Sequence, residues 1–246
     1  MPIPHLSKLQ HHTCTCKRFA IDEFGGHLHT CLQHAGATTG AHEHILTALQ
    51  KIFTKAGFKT DRKQVPHSRG LKKADLWIKD FTLGGVRVVI IDVTLRHEFH
   101  GSSAHLDRNG ELTHDNVNGA LEAAIKEKLN HYHHDYNERN FLFLPAVMTT
   151  SGRISGDLLR LIYILSHHQA DKYFTRICII DPSPQAFKQR RDAYFYYNRA
   201  AIGLACAQAT AMRIDIAPHK RPRENHPHLV PDLTHFHLPP HAHHLD

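Results

Sequence analysis

The stretch that most constrains this chain is "VRVVIIDVT", residues 86–94. Four consecutive β-branched apolar residues, Val88 to Ile91, predict a strand buried on both faces, and the run ends directly on Asp92. The preceding segment "ADLWIK", 74–79, predicts a second strand with Asp75 at its start, and Leu83-Gly84-Gly85 supplies the hairpin turn between them. Counting outward from Gly84, Asp75 lies nine residues back and Asp92 eight forward, nearly opposite at one end of the hairpin. Two carboxylates that meet at a sheet end repel, and a divalent oxygen-binding ion such as magnesium is the usual compensation. The alternative is that each pairs with a surface Lys or Arg or caps a turn.

The spacing elsewhere predicts helices over 42–56, 115–134 with Asp115 as N-cap, 155–168 and 184–212, and a buried strand over 140–150. A polar loop spans 97–113, and a short apolar run, 176–180, ends at Asp181-Pro182. That order indicates an α/β domain with a mixed sheet flanked by helices. On the helix over 42–56, His42 falls on the apolar face and Glu43 about 120° from it, which makes Glu43 a weak candidate for an inward metal ligand. On the helix over 115–134, Val117, Leu121, Ile125 and Tyr132 form an apolar stripe. Lys128 sits within about 20° of its centre, whereas Lys126 faces water. An inward lysine costs desolvation unless an anion compensates it, so Lys128 is the cation expected beside the carboxylates, against the alternative of a lysine snorkelling at the stripe's edge.

Near the N-terminus, Cys14-x-Cys16, ten residues, then His27-x-x-x-Cys31 offer four ligands for a tetrahedral structural zinc, with Gly25-Gly26 as the turn. His11, His12, His29 and His34 are alternatives to His27. The other two of the five cysteines, Cys178 and Cys206, sit among apolar residues and are expected to be buried core thiols. An odd cysteine count argues against a disulfide framework. No apolar run approaches the roughly 18 residues of a membrane span, so a soluble intracellular protein is expected. A net charge of +7, with clusters at Lys59/Arg62/Lys63 and Arg69/Lys72/Lys73, suits a polyanionic partner. The 26 histidines are too many for most to be ligands.

The segments "KKADL", "VIIDVTLRH" and "EAAIKEKLNHY" together resemble the restriction-like, PD-(D/E)xK-type endonuclease domain at the C-terminal end of certain site-specific non-LTR retrotransposon proteins and related reverse-transcriptase polyproteins. "CTC" with "DEFGGHLHTC" is similar to the Cys/His knuckle that precedes that domain. The resemblance covers roughly residues 14–165. It implies a restriction-endonuclease-like mixed sheet with a small zinc knuckle, and divalent-metal nicking of target DNA to prime reverse transcription. Asp75 matches the Asp of the family's Pro-Asp pair, Asp92 the second acidic ligand, and Lys128 with Tyr132 its displaced Lys-x-x-x-Tyr element; Cys14, Cys16, His27 and Cys31 match the knuckle.

Ala74 stands where the family has proline, and Thr94 where it commonly has the catalytic lysine, which leaves that role to Lys128. The expected site is Asp75, Asp92 and the Val93 carbonyl around magnesium or manganese, with Thr94, Tyr132, His42 and Glu43 in support. Arg69, Lys72, Lys73, Arg96 and His97 are candidate DNA contacts. The expected divisions are a knuckle over 1–40, a nuclease core over 41–182, a packed helix over 183–213 and a disordered His/Pro-rich tail over 214–246. Lys220-Arg221-Pro222-Arg223 in that tail reads as a nuclear-entry signal or as plain tail charge. The expected partners are target DNA and element RNA. No reverse-transcriptase segment precedes residue 1, so a polyprotein fragment or a degenerate copy is expected. The rival reading is a nucleic-acid-binding module that has kept the knuckle and lost cleavage.

Overall fold

The apolar run becomes the centre of a sheet. The computed structural model describes residues 13–214 apart from 15, 23, 32, 34, 63–64, 67–72, 84–85, 102 and 104–105. Its elements in chain order are helix α1 (Gly26–Thr30), α2 (Ala35–Ala56), strands β1 (Thr60–Asp61), β2 (Leu76–Leu83) and β3 (Val86–Arg96), helix α3 (Gly119–Asn137), strand β4 (Leu142–Thr149), and helices α4 (Gly156–Arg176) and α5 (Pro184–Ile214). The sheet order is β1-β2-β3-β4. β2 runs antiparallel to both β1 and β3, while β4 is parallel to β3. A parallel pair needs a crossover, and α3 supplies it. The fold is thus a mixed four-stranded sheet flanked by helices, as the sequence predicts.

Alternation along β3 divides the core. Val89, Ile91, Val93 and Leu95 pack with α2, α4 and α5, whereas Ile90 faces the other way, against Tyr132 and Tyr136 of α3. Asp92 shares that second face by the two-residue period of a strand. The hairpin register shifts between Lys79↔Val88 and Leu83↔Val86, and Asp80 within that irregularity has φ 60°. Continuing the Leu83↔Val86 register without the shift would set Asp75 against Thr94. With it, Leu76 pairs with Ile91 and the next position sets Asp75 against Asp92.

Several boundaries and placements differ from the sequence-based expectation. The first long helix begins at Ala35, so the expected division at residue 40 falls inside it. The crossover helix begins at Gly119 with Asn118, not Asp115, at its N-cap position. Residues 116–119 close a turn in which Asn116 Oδ1 accepts the Asn118 N–H at 2.8 Å. A Cβ on Gly119 would lie 2.3 Å from that of His114, so only glycine fits the helix start. Val117 consequently lies outside the helix and is exposed rather than part of the stripe. Cys206 is buried as expected, but Cys178 is exposed. α4 continues to Arg176, so Cys178, with φ 59°, sits in the turn between α4 and α5. Gly84 and Gly85, Arg69 and Lys72, His11, His12 and His34, and the tail from 215 onward lie outside the described residues. No helix among the described residues is long and apolar enough to cross a membrane.

A buried polar knot joins the three helices on one side of the sheet. Asn198 of α5 is fully buried and its Nδ2 donates to Ser166 Oγ and Gln169 Oε1 of α4, each at 3.0 Å. Gln169 Nε2 in turn donates to the Ile52 carbonyl of α2. Truncating Asn198 strips a donor from two buried acceptors. Asn198→Ala is expected to cost about 1–3 kcal/mol in urea unfolding, whereas exposed Arg199→Ala should stay within about 0.5 kcal/mol of wild type.

Candidate active site and candidate metal centre

Asp92 is only 4% exposed, inside β3 and flanked by buried Ile91 and Val93. Burial is the first cause that raises its carboxyl above the ordinary range, and the charge of Asp75 adds to it. Lys128 opposes both, with its Nζ 2.9 Å from Asp92 Oδ2. The lysine reaches this point because the apolar stripe of α3 lies on the sheet, as the helical wheel predicts. Thr94, two residues further along the same strand face, places its hydroxyl 3.5 Å from Asp92 Oδ2. Below Lys128 the Tyr132 ring lies 5.9 Å from Nζ, and burial pushes its phenol up to about 12, so it stays neutral.

Asp75 is fixed from two sides. Its Oδ2 accepts the Val93 N–H at 2.7 Å and lies 3.0 Å from His42 Nε2. That bond to Asp75 is the main cause raising His42 above the usual histidine range, against the opposing effect of burial. His42 thus comes from the apolar face of α2 to the carboxylates. Glu43 does not: its side chain is 51% exposed and pairs with Arg62. The arrangement is a row in which two carboxylates face one another between His42 on one side and Lys128 on the other. The repulsion between the two carboxylates is part of what raises Asp92.

Of the candidate DNA contacts, Arg96 pairs with Glu127, and Lys73 lines a cavity beside Asp75. His97 turns inward rather than toward solvent. Its Nδ1 lies 2.8 Å from Thr150 Oγ1, its ring sits 4.6 Å from that of His29, and burial drives it down to about 4. A neutral, half-buried ring of this kind makes no charged phosphate contact.

The second constellation lies at the N-terminal end. The ligand atoms of Cys14, Cys16, His27 and Cys31 all fall within 4.8 Å of one another, a group able to hold a metal ion such as zinc. Cys16 Sγ lies 3.3 Å from His27 Nε2 and Cys14 Sγ 3.8 Å from Cys31 Sγ. The structure brings His27 rather than His29 to the cysteines, and His29 is directed instead to the His97 ring. Burial pushes the Cys31 thiol up to about 11, so metal binding there releases a proton. For Cys16 burial acts upward too, but the backbone N–H groups of Arg18 and Phe19 help bring it below the ordinary thiol value.

Sequence reasoning missed two residues that build this centre. Asp22 accepts from the Phe24 and Gly26 N–H groups through Oδ1 and from His27 N–H through Oδ2, which fixes the turn carrying His27. An Asp three residues before Gly25-Gly26 was the available signal. Gly101, in the polar loop, touches Gly26, and a Cβ there would lie 2.0 Å from the Gly26 carbonyl oxygen; nothing local in the sequence marks that approach.

A scan of the sequence against protein-family models finds no match, and a search of curated proteins finds no significant one.

The purified protein is expected to carry one zinc per chain, by elemental analysis, with Cys31→Ala losing it and Cys206→Ala retaining it. Since His97 is depressed from 6.5 to about 4, its contribution to stability is full above 6.5 and is lost as pH falls toward 4. His97→Gln should therefore move the acid-unfolding midpoint to lower pH, read by circular dichroism.

Proposed function

We propose that this chain is a divalent-metal-dependent DNA endonuclease with a restriction-endonuclease-like fold, nicking target DNA in the service of reverse transcription of a mobile element in the nucleus. The observation that carries the reading is the contact between Lys128 Nζ and Asp92 Oδ2 at 2.9 Å, with Asp75 just before the neighbouring strand, one position beyond the Leu76↔Ile91 pair. An acidic pair and a lysine from separate elements converge on the face of the sheet against which α3 packs. The resemblance of the three sequence segments and the net positive charge support the same reading. The zinc knuckle has a structural role in this account, and element RNA is a further partner.

Asp75, Asp92 and the Val93 carbonyl would hold magnesium or manganese, and such an ion would supply Lewis-acid polarisation of the phosphate and activation of water. The chain's own residues prepare the reaction. Val93 N–H and His42 fix the Asp75 carboxylate in one orientation. Lys128 directs positive charge to the side of Asp92 where phosphate charge develops during attack. Tyr132 remains neutral beneath it, its buried ring 5.9 Å from the ammonium nitrogen. Thr94, in place of the usual lysine, supplies only a hydroxyl.

A second reading, an inactive nucleic-acid-binding module, is favoured by one observation. Both carboxylates already have partners within the chain, Asp92 through Lys128 and Asp75 through His42 and Val93 N–H. Plasmid nicking separates the two. With magnesium or manganese the wild type is expected to nick, and Asp92→Ala and Lys128→Met to lose about 100-fold or more of that rate while still binding DNA. Tight, salt-sensitive binding by the wild type without metal-dependent nicking establishes the second reading instead.

A further inference from the structure

A cavity of about 490 Å³ opens beside the carboxylates, lined by Glu43, Leu46, Arg62, Lys73, Ala74 and Asp75. Buried Ala74, two residues before β2, is part of its lining, which also carries two cations and two carboxylates. Arg62 follows β1 and Glu43 stands on α2, so their ion pair spans the cavity from one element to another. Glu43 Oε1 also lies 3.8 Å from His42 Nδ1, and His42 Nε2 is bonded to Asp75. Arg62, Glu43, His42 and Asp75 therefore form a continuous line of alternating charge from the cavity to the candidate active site.

We infer that this cavity is a binding subsite for a backbone phosphate of duplex DNA, with Arg62 as its anion contact and Glu43 as an internal substitute that holds Arg62 until DNA arrives. The inference deepens the nuclease reading and rests on it for the identity of the ligand.

Three features carry the argument. A guanidinium has five N–H donors in a planar fork that accepts a carboxylate or a phosphate in the same geometry, so one can replace the other without moving the arginine. The Glu43 side chain is half exposed and that of Arg62 is 29% exposed, a setting in which an ion pair adds little to stability and its exchange costs little. The cavity shares Asp75 with the candidate active site, so a phosphate seated on Arg62 belongs to the strand that passes the carboxylates. Without a cation there, Asp75 and Glu43 would repel that strand; Arg62 and Lys73 supply the attraction.

The test is binding of a short fluorescent DNA duplex to the full chain in buffer without magnesium or manganese, at several salt concentrations. Arg62→Ala is expected to weaken binding about tenfold and to reduce the slope of log affinity against log salt by about 1. Glu43→Gln is expected to tighten binding roughly threefold by freeing Arg62. In the Arg62→Ala background the Glu43→Gln effect should vanish. Wild-type affinity for Arg62→Ala, or an equal gain from Glu43→Gln with and without Arg62, overturns the inference, since Glu43 is then only a surface charge. Plasmid nicking by the same proteins separates this result from the nuclease reading. Nicking that depends on Asp92 while Arg62→Ala binds normally sinks the subsite alone; the expected binding pattern without nicking sinks the nuclease and leaves the subsite standing.

Discussion

The structure depends on how a carboxylate is kept inside a strand buried on both faces. Asp92 lies among Ile90, Ile91 and Val93 with 4% of its surface exposed, and burial together with Asp75 disfavours its charge. An uncompensated buried carboxylate costs several kcal/mol, roughly. Lys128 is the compensation, and its delivery requires α3 to lie across the sheet with one particular face inward. The same stripe brings Tyr132 and Tyr136 onto Phe143 and Ile90, so the packing of the crossover helix and the charge balance of the site are one constraint. Tyr136 extends it further: its hydroxyl donates to the Pro66 carbonyl at 2.7 Å and lies 3.5 Å from the Ala74 N–H, next to Asp75.

Much of this was legible in the sequence because it rests on short-range periodicity. An unbroken β-branched run placed Asp92 on a buried strand, and a 3.6-residue period placed Lys128 inward and Lys126 outward. Counting from the hairpin brought Asp75 near Asp92, but what sets them level is a register shift with Asp80 at positive φ, which no local pattern announced. The helix start at Gly119 was missed because it is decided by contact with His114, and Asp115 looked like a cap on composition alone. Cys178 was misplaced because an apolar run between two helices reads the same whether it is buried or forms an exposed turn.

The tertiary placement of the histidines was the least legible. In a chain with 26 of them, the spacing left His29, which lies against His97, as an alternative to His27, buried beside Cys16, and only helical phase marked His42, which bonds Asp75. The distinction arises where elements meet. The metal centre packs on the core through the Gly26–Gly101 approach and the His29–His97 contact, and Arg213 of α5 donates to the Leu95 carbonyl nearby. The centre and the end of β3 therefore brace one another, and a metal held by Cys14, Cys16, His27 and Cys31 would stiffen the loop that follows the carboxylate strand.

The most direct test of this account is the titration of the Asp92 side-chain carboxyl, followed by carbon NMR in the wild type and in Lys128→Met. If Lys128 is what holds the buried carboxylate charged, Asp92 should titrate clearly higher in the variant than in the wild type. Identical titration of Asp92 in the two proteins would contradict the account, because the lysine would then carry none of the charge balance on which the site depends.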